Sequence, residues 1–170
     1  MTKTKWLCIF LIAGVAGYYF YPENKLPDDS QIDRLVVTKS KRQLAVYSKG
    51  TLLKTYKVSL GRVPEGDKEF EGDMKTPEGI YFINDKNPNS GYHKNLGISY
   101  PNQRDIEHAR SHEKPAGGDI KIHGLRNGIG LVGKFHRWFD WTMGCIAVTN
   151  DEMDELYEAV EVGTSIEIRP

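Results

Sequence analysis

The sequence predicts a mainly β fold with a few short helices, and three observations support this prediction. Nine tyrosines and 17 glycines occur with many valine, isoleucine and threonine pairs, a composition typical of strands joined by turns. Apolar and polar residues alternate in several segments, for example residues 43–47, where Leu44 and Val46 share one face. One segment, which follows Thr149, instead has the apolar spacing of an amphipathic helix.

The predicted elements are joined by one tight turn and two long irregular segments. Strands are expected at residues 35–37, 43–47, 51–60, 80–83, 118–123, 144–149 and 165–168. Ser48-Lys49-Gly50 predicts a hairpin turn, residues 61–79 a long loop, and residues 84–118 a polar, irregular segment. Thr149 and Glu152 predict a capping box that starts a helix, and Gly163 is expected to end that helix.

The N-terminus predicts export. Lys3 and Lys5 precede an uncharged apolar run of about 15 residues, against roughly 20 for a membrane span. Residues 1–21 are therefore interpreted as a cleaved signal peptide or a retained N-terminal membrane anchor. Either alternative places the domain in the periplasm or cell envelope. A retained anchor would attach it to the inner membrane. Residues 22–33 are polar and predict a linker, and residues 34–170 predict a single domain.

Charge and spacing exclude several classes of function. Basic and acidic residues are equal at 23 each and form no basic run, so nucleic acid is not an expected partner. The glycines of residues 61–79 lack the Gly-Lys-Ser/Thr ending of a phosphate-binding loop. His108 and His112 would share a helix face, but no third ligand stands at a recognised spacing. We therefore expect a solvated helix face there, no metal and no other cofactor.

His123 and Cys145 are the candidate catalytic pair. Cys145 is the only cysteine outside the first ten residues, so an exported domain leaves it without a disulfide partner. Period-two alternation places His123 on the strand face away from Ile122, and Cys145 on the strand face away from Ile146. An imidazole that takes the thiol proton would raise the thiolate population by roughly thirtyfold at pH 7. His136 is assigned no role.

Glycines flank both candidate residues. Gly144 frees the backbone, so that an N–H group of Met143, Gly144 or Cys145 could point at a developing oxyanion. The base needs an orienting group, either a backbone carbonyl near Gly124 or a nearby side chain. Arg126 is a candidate contact for a substrate carboxylate, with an exposed loop arginine as the alternative. The aromatic residues of 135–141 are expected to roof the site or to pack in the core.

Several motifs resemble the L,D-transpeptidase catalytic domain, the YkuD family. They are the meander of residues 35–60, the Gly72-Asp73-Met74-Lys75-Thr76-Pro77-Glu78-Gly79 element, residues 92–102, Ile122-His123-Gly124 and Thr142-Met143-Gly144-Cys145. The resemblance implies a mixed β-sandwich or barrel and a cysteine enzyme that acts on peptidoglycan stem peptides. Cys145 would attack the carbonyl that joins diaminopimelate to the terminal D-alanine, with His123 as the base. The thioester would then pass to an amine on a second stem or on a wall-attached protein.

Two departures from the family pattern bear on the reaction. Met143 stands where a second histidine is usual, and Ala147 stands where arginine or asparagine is common. The motif is more similar to the YafK-like branch, some members of which are thought to hydrolyse. Three functions stay open: transfer, hydrolysis as an L,D-carboxypeptidase or amidase, and a non-catalytic peptidoglycan-binding module. Arg126, Thr142, Trp141 and Tyr92 are the candidate substrate-binding residues, and a membrane is expected as a partner only through the N-terminal segment.

Overall fold

The structure is a computed structural model that describes residues 3–170. Its eight strands are β1 (Ile32–Thr38), β2 (Gln43–Ser48), β3 (Thr51–Lys57), β4 (Gly79–Ser90), β5 (His93–Ile98), β6 (Lys121–His123), β7 (Ile146–Ala147) and β8 (Val160–Arg169). Its α-helices are α1 (Lys3–Phe20), α2 (Gln103–Ser111) and α3 (Asn150–Ala159). The strands form one mixed sheet in the order β3-β2-β1-β8-β4-β5-β6-β7. The predicted mainly β class is confirmed.

Alternation builds the core as the sequence predicts. Leu35 and Val37 of β1, Leu44 and Val46 of β2, and Ile166 and Ile168 of β8 are all buried together. Met153 and Leu156 of α3 pack into the same core, since they lie three apart on one helix face. Truncating any one of these side chains to alanine would cost about 2–5 kcal/mol for a leucine, isoleucine or methionine. This core also packs against the strands that carry the candidate site.

The segment of residues 84–118 differs from its prediction, because it is largely ordered. β4 continues to Ser90 and pairs with β8 at one end and β5 at the other. α2 starts at Asn102, whose side chain accepts the Asp105 N–H in a capping box. Period-two reasoning missed the second half of β4 because its side chains are polar on both faces.

Two predicted element boundaries also move. α3 ends at Ala159 and β8 follows at once from Val160, so Gly163 does not end the helix. Gly163 instead lies inside β8 with a φ of 95°, where the pairing of β8 with β1 shifts register. β6 and β7 are short because positive φ values at Asp119 (62°) and Gly144 (129°) interrupt the extended backbone before each strand.

The N-terminal segment packs against the domain. Rings of Tyr18 and Tyr19 contact Phe135 in the 3-10 segment Gly130–Trp138, at centroid distances of 6.0 and 5.2 Å. Within the predicted linker, Leu26 is buried in the core, and Glu23 pairs with Arg137 at 2.6 Å. Within residues 3–170, no helix combines the length and the hydropathy that a membrane span requires.

Candidate active site

The pairing of short strands brings His123 and Cys145 together. β6 and β7 are parallel, with Ile122 opposite Ile146 and His123 opposite Ala147. Cys145 directly precedes β7, so the same register continued by one residue places it beside Lys121. Side chains two apart on a strand share a face, which puts His123 and Cys145 diagonally across the same face. The parallel ladder thus joins two residues that are 22 apart in sequence.

An open cavity of about 650 Å³ lies over this face. Seven of the nine predicted site residues line it: Cys145, His123, Met143, Arg126, Thr142, Trp141 and Tyr92. Gly124 and Gly144, the other two, do not line the cavity and can contribute only backbone atoms. Arg62, Asn95, Asp119 and Lys121 also line the cavity and were not predicted.

His123 is fixed in one orientation and one tautomer. Its side chain is buried, and Nδ1 lies 2.7 Å from the carbonyl oxygen of Gly124. Because a carbonyl oxygen only accepts, Nδ1 carries the proton and Nε2 is left as the acceptor. The Tyr92 and Trp141 rings pack on the imidazole at centroid distances of 4.7 and 5.6 Å. Of the two orienting groups considered from the sequence, the backbone carbonyl is the one in contact.

The backbone turn before Cys145 is held by Thr142. The buried Thr142 hydroxyl accepts the Gly144 N–H at 3.1 Å and donates to the Cys145 carbonyl at 2.7 Å. A Cβ at Gly144 would lie 2.7 Å from the Lys75 carbonyl oxygen, so this position has no room for a side chain. The Gly144 N–H is engaged in the turn, which differs from the expectation that it could face an oxyanion. The Thr142 hydroxyl is likewise hydrogen-bonded within the protein, although Thr142 also lines the cavity.

Burial favours the neutral forms of both candidate groups. It raises the pKa of the Cys145 thiol, against the opposing influence of the Lys121 backbone contact and the Lys121 charge. Burial also lowers the pKa of His123, against the opposing hydrogen bond to Gly124. Both shifts favour a neutral thiol and a neutral imidazole over the ion pair considered from the sequence. Such an imidazole can accept the proton when the sulfur attacks.

The cavity is lined by more positive than negative charge. Arg62, Lys121 and Arg126 line it against one carboxylate, Asp119, which pairs with Lys121 at 2.9 Å. Lys121 is two residues before His123 on the same strand face, so alternation alone could have identified it. Arg62 comes from a distant segment, and only tertiary structure places it there. Arg126 is exposed at the rim, where both interpretations offered from the sequence remain compatible with its position.

The other histidines lie outside this arrangement. The rings of His108 and His112 are 5.0 Å apart on α2, and neither residue lines the cavity. Within the described part of the chain, no three His, Cys, Asp or Glu side chains are grouped as a metal site would require. His136 is buried, with Nδ1 3.1 Å from the Ser59 hydroxyl, and Ser59 in turn pairs with Ala147 through the backbone. His136 therefore supports the strand next to Cys145.

The family model of the L,D-transpeptidase catalytic domain (YkuD) matches residues 32–168. The chain belongs to this family. It is 32% identical over 130 residues to YafK of Escherichia coli (strain K12), a candidate L,D-transpeptidase. That alignment covers 73% of this chain and 45% of YafK, so the chain spans about half the length of this relative.

Solved structures of other proteins share the fold. The helical cell shape determining protein Pgp2 from Campylobacter jejuni superposes with a TM-score of 0.59 at 26% identity, covering 82% of this chain and 48% of Pgp2. An L,D-transpeptidase from Mycobacterium smegmatis superposes with a TM-score of 0.54 at 16% identity, covering 81% of this chain and 58% of that chain. These neighbours confirm the L,D-transpeptidase type of β fold that the sequence motifs predict.

Proposed function

We propose that this chain is a cysteine-dependent L,D-transpeptidase that acts on peptidoglycan stem peptides through a thioester. One observation carries the proposal: the Nδ1–Gly124 hydrogen bond leaves Nε2 of a neutral His123 free to accept a proton in the cavity that Cys145 lines. Membership of the family supplies the substrate class. The open, cationic cavity suits a peptide that carries carboxylates.

The first half-reaction is an acyl transfer to sulfur. Nε2 of His123 accepts the thiol proton as Sγ of Cys145 attacks the carbonyl carbon that joins diaminopimelate to the terminal D-alanine. The oxyanion is received by backbone N–H groups at Met143 and Cys145, since the Gly144 N–H is engaged by Thr142. When the intermediate collapses, His123 returns the proton to the leaving nitrogen. D-alanine departs and a thioester remains on Cys145.

The second half-reaction sends the acyl group to an amine or to water. Transfer to a second stem or to a wall-attached protein is the function that we favour, because the matching family model is that of an L,D-transpeptidase catalytic domain. Hydrolysis is the second candidate, and one observation favours it: Ala147 is buried and apolar, so it offers no contact to an acceptor. Amine transfer needs a bound acceptor, whereas water does not.

The test is incubation of the chain with tetrapeptide muropeptides, with and without excess D-amino acid, followed by mass spectrometry. Dimers or exchanged termini support transfer. Tripeptide as the only product at every acceptor concentration identifies an L,D-carboxypeptidase. An unchanged substrate, together with a Cys145 thiol that reacts no faster than a model thiol, supports the non-catalytic binding module instead.

We also propose that the chain is exported and acts at the cell envelope. The Tyr18 and Tyr19 contacts leave most of the apolar side chains of α1 exposed, including Leu7, Phe10 and Leu11. α1 and the segment Gly130–Trp138 border an open apolar pocket of about 430 Å³ that continues this surface. Exposed apolar area of this extent is typical of a contact with lipid or of a segment that is removed. Cell fractionation and N-terminal mass analysis distinguish a retained anchor from a cleaved signal peptide.

A cell-shape role is a further part of the proposal. Pgp2 is described as a helical cell shape determining protein, and it shares the fold with this chain. Deleting the gene should alter the muropeptide profile of the wall before it alters cell shape. A changed shape with an unchanged muropeptide profile would count against a wall-modifying activity.

A further inference from the structure

Asn95 occupies a position in the cavity wall that the reaction described above does not use. It lies on β5 directly opposite His123 of β6, and its other ladder neighbour is Asn87 of β4. The three residues therefore form one row across the sheet, and all three line the cavity. Cross-strand neighbours point to the same face, so the Asn95 amide stands beside the proposed base.

The Asn95 amide is buried without a partner for its oxygen. Its residue is 3% exposed, and Oδ1 accepts no hydrogen bond from any residue in the described part of the chain. Leaving a buried acceptor unpaired costs about 1–3 kcal/mol, and most buried polar groups in proteins are paired. In the same wall, Nε1 of Trp141 is also buried and lacks a partner among the described residues. Two residues next to His123 thus hold an unused acceptor and an unused donor in the cavity wall.

The chemistry of these atoms indicates what they bind. A carboxylate only accepts, so it cannot satisfy the Asn95 oxygen. A residue in an extended peptide presents its own N–H donor and C=O acceptor on one edge, and these two groups can pair with both ends of an amide side chain. The last torsion of an asparagine side chain is broad, which allows the amide to turn into the cavity that it lines. Arg62, Lys121 and Arg126 remain available for carboxylates of the same ligand.

We propose that Asn95 determines specificity by hydrogen-bonding a peptide group of the donor stem in the cavity beside His123. The inference rests on the proposed function, because it takes the stem peptide as the ligand. The row Asn87–Asn95–His123 would then align the peptide backbone along the sheet, next to the atoms that react. Asn95 acts in binding and takes no part in proton transfer.

The experiment measures binding separately from turnover. Cys145→Ala in the full chain stops acylation, and calorimetry then gives the Kd for the tetrapeptide stem. Adding Asn95→Leu should weaken binding by about 5- to 100-fold, the range expected for one lost buried hydrogen bond with its partner left unpaired. The same substitution should leave the melting temperature unchanged or raise it, because it removes an unpaired buried oxygen. In the active chain, Asn95→Leu should raise KM more than it lowers kcat.

Asn89→Leu is the matched control, since Asn89 lines the same cavity but is exposed. It should change Kd less than twofold. Asn95→Ala removes the amide without added bulk and replaces Asn95→Leu if the latter fails to fold. If both Asn95 variants bind the tetrapeptide within twofold of their parent, or lose only stability, the Asn95 proposal is overturned while turnover by the unmodified chain still supports the enzyme. If the parent neither binds nor turns over the tetrapeptide, both proposals are overturned.

Discussion

Replacing Thr142 with valine should separate the positioning of Cys145 from its chemistry. Valine keeps the shape of threonine but lacks the hydroxyl that accepts the Gly144 N–H and donates to the Cys145 carbonyl. Each neutral hydrogen bond contributes about 0.5–1.5 kcal/mol, and an unpaired buried N–H costs about 1–3 kcal/mol. Because Thr142 is 5% exposed, water replaces the hydroxyl poorly. We therefore expect the free energy of unfolding to fall by about 2–4 kcal/mol in Thr142→Val.

Two kinds of measurement test this expectation. Urea unfolding should show the loss of free energy of unfolding. Thermal unfolding should show a fall in melting temperature of roughly 5–12 °C for a chain of this size. The rate of Cys145 alkylation at pH 7 should also change, because the turn that orients the sulfur relative to His123 is released. The Lys121 and Asp119 contacts to the sulfur do not depend on Thr142, so the thiol should remain reactive.

Thr55→Val is the matched control, since Thr55 is exposed on β3. It should change stability by less than about 0.5 kcal/mol and leave alkylation unaltered. If Thr142→Val behaves like Thr55→Val in both assays, the hydroxyl does not hold the turn. Thr142 would then return to the substrate-binding role that the sequence suggested.

The remaining expectations concern catalysis, titration and charge. Cys145→Ala should abolish turnover while the domain stays folded, and His123→Gln should slow the alkylation of Cys145. In the unmodified chain, turnover should be present above pH 6.5. It should fall at lower pH, as the imidazole of His123 is protonated through its lowered pKa. Burial lowers the pKa of His136 to about 3 in the folded chain. As the pH falls below 6.5, the unfolded chain therefore protonates His136 before the folded chain does, and the free energy of unfolding should decline by up to roughly 4–5 kcal/mol at pH 3. His136→Gln should flatten that part of the urea stability profile, and an unchanged profile would contradict the assignment. Arg137→Met leaves Glu152 without an ion pair and Glu23 with Lys134 alone, and should cost about 3 kcal/mol. Arg169→Met, at an exposed pair, should leave the melting temperature nearly unchanged in the same thermal unfolding assay.

The parts that could be predicted from the sequence are those with a local cause. Alternation in β1 and β2 follows from one apolar face, so the mainly β class could be read directly. The capping box of α3 needs only Thr149 and Glu152, and the structure contains it. His123 and Cys145 were identified because each stands beside a glycine in a motif typical of the family. None of these inferences required contacts between distant segments.

Residues 84–90 show where pattern reading failed. The second half of β4 is polar on both faces because one face lines a water-accessible cavity and the other is exposed. Without an apolar face there is no period-two signal, although the backbone still pairs with β5. Asn95 could not be identified for a related reason: the sequence does not show whether a polar atom in a buried strand has a hydrogen-bond partner.

Distant pairing decided how the candidate site is assembled. The register that sets His123 opposite Ala147 depends on β6 meeting β7 in parallel, and Ser59 fixes the far side of β7. The balance between burial and hydrogen bonding, which favours the neutral forms of His123 and Cys145, also exists only after these segments close over the pair. A residue's type and its neighbours in sequence state what chemistry it can do. Solvent exclusion and register arise from segments far apart in the chain, so the tertiary structure alone determines which protonation state and which neighbours that chemistry has.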